Sequence, residues 1–151
     1  MTSSSVSFSS EETTAIATPL NDSIALGARV LLTLPFLRSG LSKIIDFEAT
    51  AGFMRSEGMR LVPLFLVGAI VLEVIGGLSI LAGYRARLGA LALIVFLVPT
   101  TLIFHDFWTF TGDAAAMQRL SFINNLGLLG GLSMVAAFGS GAISVDAKTR
   151  E

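Results

Sequence analysis

The chain has 151 residues, of which 53% are hydrophobic and only 14% are charged, so it departs from a soluble domain, in which about a quarter of residues are charged. The formal net charge of -1 provides no basic surface for nucleic acid, which is therefore not an expected partner. The absence of cysteine excludes disulfides, Cys-ligated iron–sulfur clusters and covalently attached haem, and one histidine cannot supply a bis-His haem.

Residues 1–22 are rich in Ser and Thr and contain no Lys or Arg. A secretory signal needs a basic first region and a transit peptide is rich in arginine, so neither is indicated. We predict that residues 1–22 form a disordered, polar tail.

Four apolar blocks follow, at residues 24–45, 61–83, 88–104 and 122–143. Each is close to the ~20 residues with which a helix crosses a bilayer. The sequence therefore predicts an all-α integral membrane protein, a four-helix bundle over residues 23–145 with a polar C-terminal tail at 146–151. An even number of spans places both termini on one side. The cytoplasmic side is favoured, because Arg85 and Arg87 fill the short second loop and Lys148 and Arg150 follow the last span.

A short amphipathic segment lies between the first two blocks. Phe47, Ala51 and Met54 recur there at positions i, i+4 and i+7, which indicates a helix with one apolar face. This helix either lies in the membrane interface with its apolar face against acyl chains, or caps the bundle.

Glycines recur at spacings that allow helices to approach closely in lipid, where small residues form the packing faces. Such faces serve packing within one chain, which we favour, or form a seam between two copies. The predicted packing residues are Gly76, Gly77, Gly127, Gly130 and Gly131.

Glu73 is the most informative polar residue, because it stands alone in the middle of the second apolar block. A carboxylate at that depth is costly unless a partner offsets its charge, or it stays neutral and hydrogen-bonded. At 1.5 Å per residue, Arg29 and Arg38 of the first block each lie about 8 Å from Glu73 in depth. The guanidinium fork binds a carboxylate well, so one of these arginines is the expected partner. Lys43 is expected to extend to the outer membrane surface.

Helical spacing places part of the first block on one face: Arg29, Thr33, Phe36, Gly40 and Lys43. Arg38 points nearly opposite. At the outer ends of the other blocks, His105 leaves the third span, and Asn125 is expected to open the fourth. Together with Lys43, Arg38 and Glu73, these residues predict a polar funnel for a quinone head group, a small anion or a proton-coupled solute. A structural ion pair, a solvated helix end and an N-cap are the alternative interpretations of Glu73, His105 and Asn125.

In this order the residues resemble a known family. The motifs are Arg29 with Phe36-x-x-x-Gly40-x-x-Lys43, Glu73-x-x-Gly76-Gly77-Leu78 with Gly83, Phe104-His105-x-Phe107, and Phe122-x-x-Asn125-Leu126-x-x-x-Gly130-Gly131-Leu132. They are similar to those of the DoxX family of bacterial four-helix membrane proteins, over residues 22–145. One departure is Asn124, where the family often has Lys.

The resemblance implies a bacterial inner-membrane protein with the lipid bilayer as its surroundings. Family members are associated with a quinol oxidase, a thiosulfate:quinone oxidoreductase and oxidative-stress complexes. By analogy we expect a non-catalytic subunit or accessory protein of a redox membrane complex, which associates with a quinone, with other subunits or with further copies of itself. The sequence contains no metal-ligand cluster or nucleotide fingerprint and predicts no catalytic residue. A proton-coupled transporter that uses Glu73 and a structural assembly factor are the alternatives.

Overall fold

The computed structural model describes residues 10–149, which form helices and connecting turns without strands. Four of the helices are long and apolar enough to cross a membrane. The helices are α1 (Ser10–Ile45), α2 (Phe47–Ser56), α3 (Val62–Ala82), α4 (Ala86–Phe104), α5 (Gly112–Phe138) and α6 (Val145–Lys148), with one 3₁₀ turn at Phe107–Thr109. The predicted all-α, four-span class is thus confirmed.

The spanning helices pack in chain order, with α1 against α3, α3 against α4 and α4 against α5, and α5 touches α1 only weakly. A buried cluster between α1, α3, α4 and α5 includes Phe36, Ile80, Leu93 and Leu132. Most large apolar residues outside it are exposed, as expected for helices that face lipid. Arg29 of α1 and the C-terminal residues meet at the bundle end of the α3–α4 turn, here called the terminal end.

The helix α2 closes the opposite end of the bundle. Its residues Ala51 and Met54 are buried against Val62 and Leu66 of α3, so the apolar face meets protein. The capping arrangement is therefore the correct one, and the interfacial arrangement is not. Packing on α3 buries apolar area that would otherwise border the headgroup region.

Helix boundaries differ from the prediction in two places. The helix α1 begins at Ser10, so residues 10–22 are helical where we predicted a tail, and residues 1–9 of that tail lie outside the described residues. Pro19 lies inside this stretch and removes one backbone donor, but extending an existing helix avoids the cost of a new nucleus. The helix α5 covers Gly112–Phe138 instead of 122–143. It starts earlier because its polar first turns emerge from the apolar layer, and it ends at Gly139, whose φ is 86°.

The C-terminal tail also differs from the prediction. Its first residues form the short helix α6, capped by Ser144, whose Oγ accepts a hydrogen bond from the Ala147 N–H at 3.2 Å. Residues 150–151 lie outside the described part. The tail is held because Asp146 bonds to the α3–α4 turn, which ties it to the bundle.

The predicted packing glycines divide into two groups. A Cβ at Gly76, Gly77 or Gly131 would lie 2.8–2.9 Å from a leucine side chain of a neighbouring helix, so these three residues pack within the chain as predicted. A Cβ at Gly127 or Gly130 would meet nothing within 4 Å. The prediction that these two glycines pack within the chain is therefore wrong. The alternative, that they form a seam between two copies of the protein, stays a prediction.

Replacing Gly76 with Ala should destabilise the protein by about 1–3 kcal/mol, because the added methyl would lie 2.9 Å from Leu93 Cγ in the core. The same change at Gly127 should leave stability unchanged or raise it by about 0.5–1 kcal/mol, because alanine favours the helix. The free energy of unfolding in detergent micelles measures both. Equal losses for the two variants would contradict the packing described above.

Candidate functional site

Glu73 is paired inside the bundle. Its residue is 4% exposed, and both carboxylate oxygens lie 3.0 Å from the Lys43 Nζ of α1. The Lys43 ammonium also donates a hydrogen bond to Ser39 Oγ. The prediction that a cation of the first span neutralises Glu73 is confirmed, but the expected arginine partner is wrong. The cation is Lys43, which we expected at the membrane surface.

The crossing of α1 and α3 explains the change of partner. A Cβ at Gly40 would lie 2.7 Å from Val74 Cγ2 and 3.4 Å from Glu73 Cβ, so the two helices are in close contact there. Glu73 is thus level with Gly40, one turn from Lys43. Helical side chains lean towards the N-terminus of their helix, which brings the Lys43 ammonium back to this level. The sequence-based estimate assumed untilted helices with equal boundaries, and the glycine contact shifts their relative height.

The two arginines lie elsewhere. Arg29 is only 3% exposed, but it is eleven residues from Gly40, about 17 Å along the helix. Its Nη2 donates to the Ile143 carbonyl at the terminal end. Arg38, which we predicted to point away from Lys43, is exposed and lines the same groove as Lys43. Among the side chains described in residues 20–149, it forms no ion pair. The predicted buried face of α1, from Arg29 to Gly40, is confirmed.

A groove of about 1100 Å³ runs along α3 between α1 and α4, beneath α2. Its walls are mostly apolar and include Leu64, Phe65 and Val95, which are exposed to the bilayer side. Polar side chains collect on its α1 wall: Arg38, Ser39, Ser42 and Lys43, with Thr50 of α2 above. The groove therefore combines a long apolar floor with one polar wall that contains the Lys43 end of the ion pair.

The remaining predicted residues do not join this site. His105 Nδ1 lies 2.8 Å from Gln118 Oε1, and Asn125 Nδ2 donates to Thr101 Oγ1 at 3.0 Å. Both contacts join α4 or its end to α5, whereas no residue of α5 lines the groove. The prediction of a single polar funnel is therefore wrong. The N-cap interpretation of Asn125 is also wrong, because α5 begins at Gly112 and places Asn125 within the helix.

Three residues that hydrogen-bond to the predicted site residues were not predicted from the sequence: Ser39, Thr101 and Gln118. Ser39 had a usable signal, since it precedes Lys43 by four residues and so lies on the same face. Thr101 and Gln118 had none, because their contacts depend on the relative height of α4 and α5. Within the described residues, no group of three or more His, Cys, Asp or Glu side chains is placed to hold a metal ion.

Comparison with known proteins now decides the family. The sequence profile of the DoxX family matches residues 24–106, more than half of the chain. The chain belongs to the DoxX family. The match covers α2, α3, α4 and most of the spanning part of α1, and so includes the Lys43–Glu73 pair and every residue that lines the groove.

Curated relatives support the same assignment. The chain is 32% identical to the inner membrane protein YphA of Escherichia coli over 123 residues, which cover 82% of this DoxX-family chain and 88% of YphA. It is 34% identical to the E. coli inner membrane protein YqjF over 128 residues, 84% and 92% of the two chains. It is also 25% identical to the yeast ER-derived vesicles protein ERV29, over 86% of this chain and 43% of that protein.

No solved structure matches the chain significantly. The four spans and the relatives confirm the predicted localisation, a multi-pass protein of the inner membrane. Which end of this DoxX-family bundle faces the cytoplasm stays a prediction from the Lys and Arg distribution.

Proposed function

We propose that this DoxX-family protein is a non-catalytic subunit or accessory protein of a redox membrane complex, and that its groove holds a quinone. The observation that carries the proposal is the polar α1 wall inside an otherwise apolar groove. An isoprenoid quinone has a matching division, with a long apolar tail and a ring that bears two carbonyl acceptors. The floor beside Leu64 and Val95 suits the tail, and the α1 wall suits the ring.

The hydrogen-bond inventory of Lys43 supports this placement. An ammonium group has three N–H donors: Ser39 Oγ accepts from one and Glu73 Oε1 from another, whereas Glu73 Oε2, also 3.0 Å away, makes no hydrogen bond within the described residues. The side chain of Lys43 is 22% exposed and lines the groove, so the third donor is available to a carbonyl there. The nearby Ser42 hydroxyl offers a second donor. Glu73 fixes the ammonium in place, which is a positioning role and involves no redox chemistry of its own.

Depth within the membrane also favours a quinone. Glu73 is the twelfth of 21 residues in α3, about 17 Å from its start and ~14 Å from its end. A phospholipid phosphate stays near the headgroup level, whereas a neutral quinone ring enters the hydrocarbon. The groove opens on the bilayer side, so the ligand would reach the polar wall laterally.

A short-tailed ubiquinone analogue should raise the melting temperature of the purified protein. At one hundred times its Kd the stabilisation should be about 2.7 kcal/mol. Gly68→Leu should abolish the effect, because Gly68 lines the groove and an added Cβ meets nothing, so the larger side chain occupies groove space without disturbing the fold. Differential scanning fluorimetry in detergent measures both.

Gly127→Leu is the matched control, because it adds the same side chain to the open face of α5, outside the groove. It should keep the response to the quinone. An unchanged melting temperature in the unsubstituted protein, or a full response in Gly68→Leu, would refute the quinone site. Uptake of a water-soluble solute into proteoliposomes that Glu73→Gln abolishes would favour the transporter instead.

A further inference from the structure

A second polar cluster, at the terminal end, is not used by the proposed function. Arg29 is 3% exposed, and its guanidinium makes one hydrogen bond, from Nη2 to the Ile143 carbonyl. Its Nε and Nη1 have no hydrogen-bond partner in the part of the chain that the structure describes. Among the side chains described in residues 20–149, no carboxylate lies within 4.0 Å of it. A guanidinium stays charged in proteins, so this buried charge lacks a counter-ion there.

The surroundings of Arg29 are polar and carry further positive charge. Ser140 and Ser144 are buried beside it, and both lie against Gly83, where a Cβ would collide with the Arg29 Nη1. Arg87 lies near Gly139, one residue before Ser140, with its Nε 3.5 Å from the Cβ position of Gly139. The carboxylate of Asp146, two residues after Ser144, already accepts hydrogen bonds from two backbone N–H groups at the start of α4.

The return loop, residues 139–144, joins these two arginines. Within the described chain, the backbone N–H groups of residues 140–143 donate no hydrogen bond. Gly139 and Gly141 have φ values of 86° and 78°, which leaves the loop outside helical geometry and turns its amides away from the α5 ladder. Unpaired N–H groups between cations are typical of anion-binding loops.

We propose that the return loop binds a phosphate-type oxyanion between Arg29 and Arg87. The oxyanion would accept hydrogen bonds from the free donors of Arg29, from Arg87 and from amides of residues 140–143. The Nε and Nη1 of Arg29 are covered in this structure, so the exposed residues 141–143 must shift outwards to admit the oxyanion. Glycines on both sides of Ser140 give the backbone the freedom to do so.

The depth of the loop indicates where the phosphate comes from. The loop follows Phe138, the last residue of α5, and Arg29 contacts Gly83, directly after the end of α3. Three spans therefore end or leave the apolar layer at this level, which is the level of lipid headgroups. Basic pockets of this kind between spanning helices bind anionic headgroups. A phospholipid and free phosphate share the same binding chemistry, so the experiment must separate them.

The test is binding of dihexanoyl-phosphatidylglycerol and of inorganic phosphate to the full-length protein, measured by native mass spectrometry and by melting temperature at constant ionic strength. Dihexanoylglycerol, which lacks the phosphate, is the negative control. The phosphate lipid should bind and dihexanoylglycerol should not. Arg29→Gln should weaken binding by about tenfold, the change that corresponds to one charge-assisted hydrogen bond. Binding of inorganic phosphate alone would still support the oxyanion site and would assign free phosphate as its source.

Three variants keep the result decisive. Arg87→Gln alters an exposed residue, so it should fold, and it should also weaken binding even if Arg29→Gln does not fold. Arg85→Gln removes the same charge at the same end, but its guanidinium lies over Tyr84, so binding should persist. Equal losses for Arg85→Gln and Arg87→Gln, or unchanged binding in Arg87→Gln, would overturn the proposal. Phosphate-lipid binding that becomes clearly tighter when residues 150–151 are removed would also overturn it, because those residues would then supply the counter-ion of Arg29.

Discussion

Lys43→Met should destabilise the folded protein by about 3 kcal/mol or more, because it leaves the Glu73 carboxylate charged and unpaired inside the bundle. The two carboxylate oxygens now lie 3.0 Å from the lysine ammonium, and Glu73 is 4% exposed. Methionine keeps most of the lysine stem, so the loss reports on the charge more than on packing. The free energy of unfolding in mixed micelles, followed by circular dichroism, measures the effect.

Arg38→Met is the matched control, since it removes a cation from the same helix at an exposed position without an ion pair in the described chain. It should change stability by less than about 0.5 kcal/mol. Adding Glu73→Gln to Lys43→Met should restore most of the lost free energy of unfolding, because the buried charge is then absent. If Arg38→Met costs as much as Lys43→Met, or if Glu73→Gln restores nothing, Lys43 is not the functional partner of Glu73.

Much of the fold could be predicted because hydrocarbon imposes a simple rule: a long apolar run must be helical. The buried face of α1 was also predictable, since the 100° step per residue places Arg29, Thr33 and Gly40 together. Both ends of α5 were not predictable in this way. Its first turns contain Asp113 and Arg119, which lower the hydropathy although the backbone stays helical beyond the apolar layer.

The ion pair shows where a sequence argument about a membrane site fails. That Glu73 needed a cation of α1 followed from the cost of an isolated buried charge. Which cation it meets depends on the height of α1 relative to α3. That height is set by the contact of Gly40 with Val74, a contact between residues far apart in the chain. Hydropathy gives each span only an approximate midpoint, and an error of about two turns changes the partner from an arginine to Lys43.

The groove could not be predicted for the same reason. Its lining combines residues of four helices, and its apolar members, such as Leu64 or Pro99, are unremarkable in their own apolar runs. Only the placement of α2 over the bundle end closes the groove, and the sequence left that placement open. By contrast, Arg29 was singled out in the sequence as a candidate partner of Glu73, but its actual neighbours in residues 139–144 lie more than one hundred positions away.

Gly83→Ala should destabilise the protein by about 3 kcal/mol, through two effects that act together. Gly83 ends α3 with a φ of 69°, a conformation that costs a residue with a Cβ about 1 kcal/mol or more. A Cβ there would also collide with the Arg29 guanidinium and with the Cβ atoms of Ser140 and Ser144, and such overpacking costs about 1–3 kcal/mol. Thermal and denaturant unfolding in micelles measure the total.

Gly58→Ala separates the two effects. Gly58 has a φ of 77°, close to that of Gly83, but a Cβ there meets nothing within 4 Å. The Gly58→Ala variant should lose only the stability that corresponds to the backbone conformation, about 1 kcal/mol. The difference between the stability losses of Gly83→Ala and Gly58→Ala then measures how tightly the return loop and Arg29 pack on the end of α3. Equal losses would mean that this packing contributes nothing to stability, and that the buried position of Arg29 does not depend on the return loop.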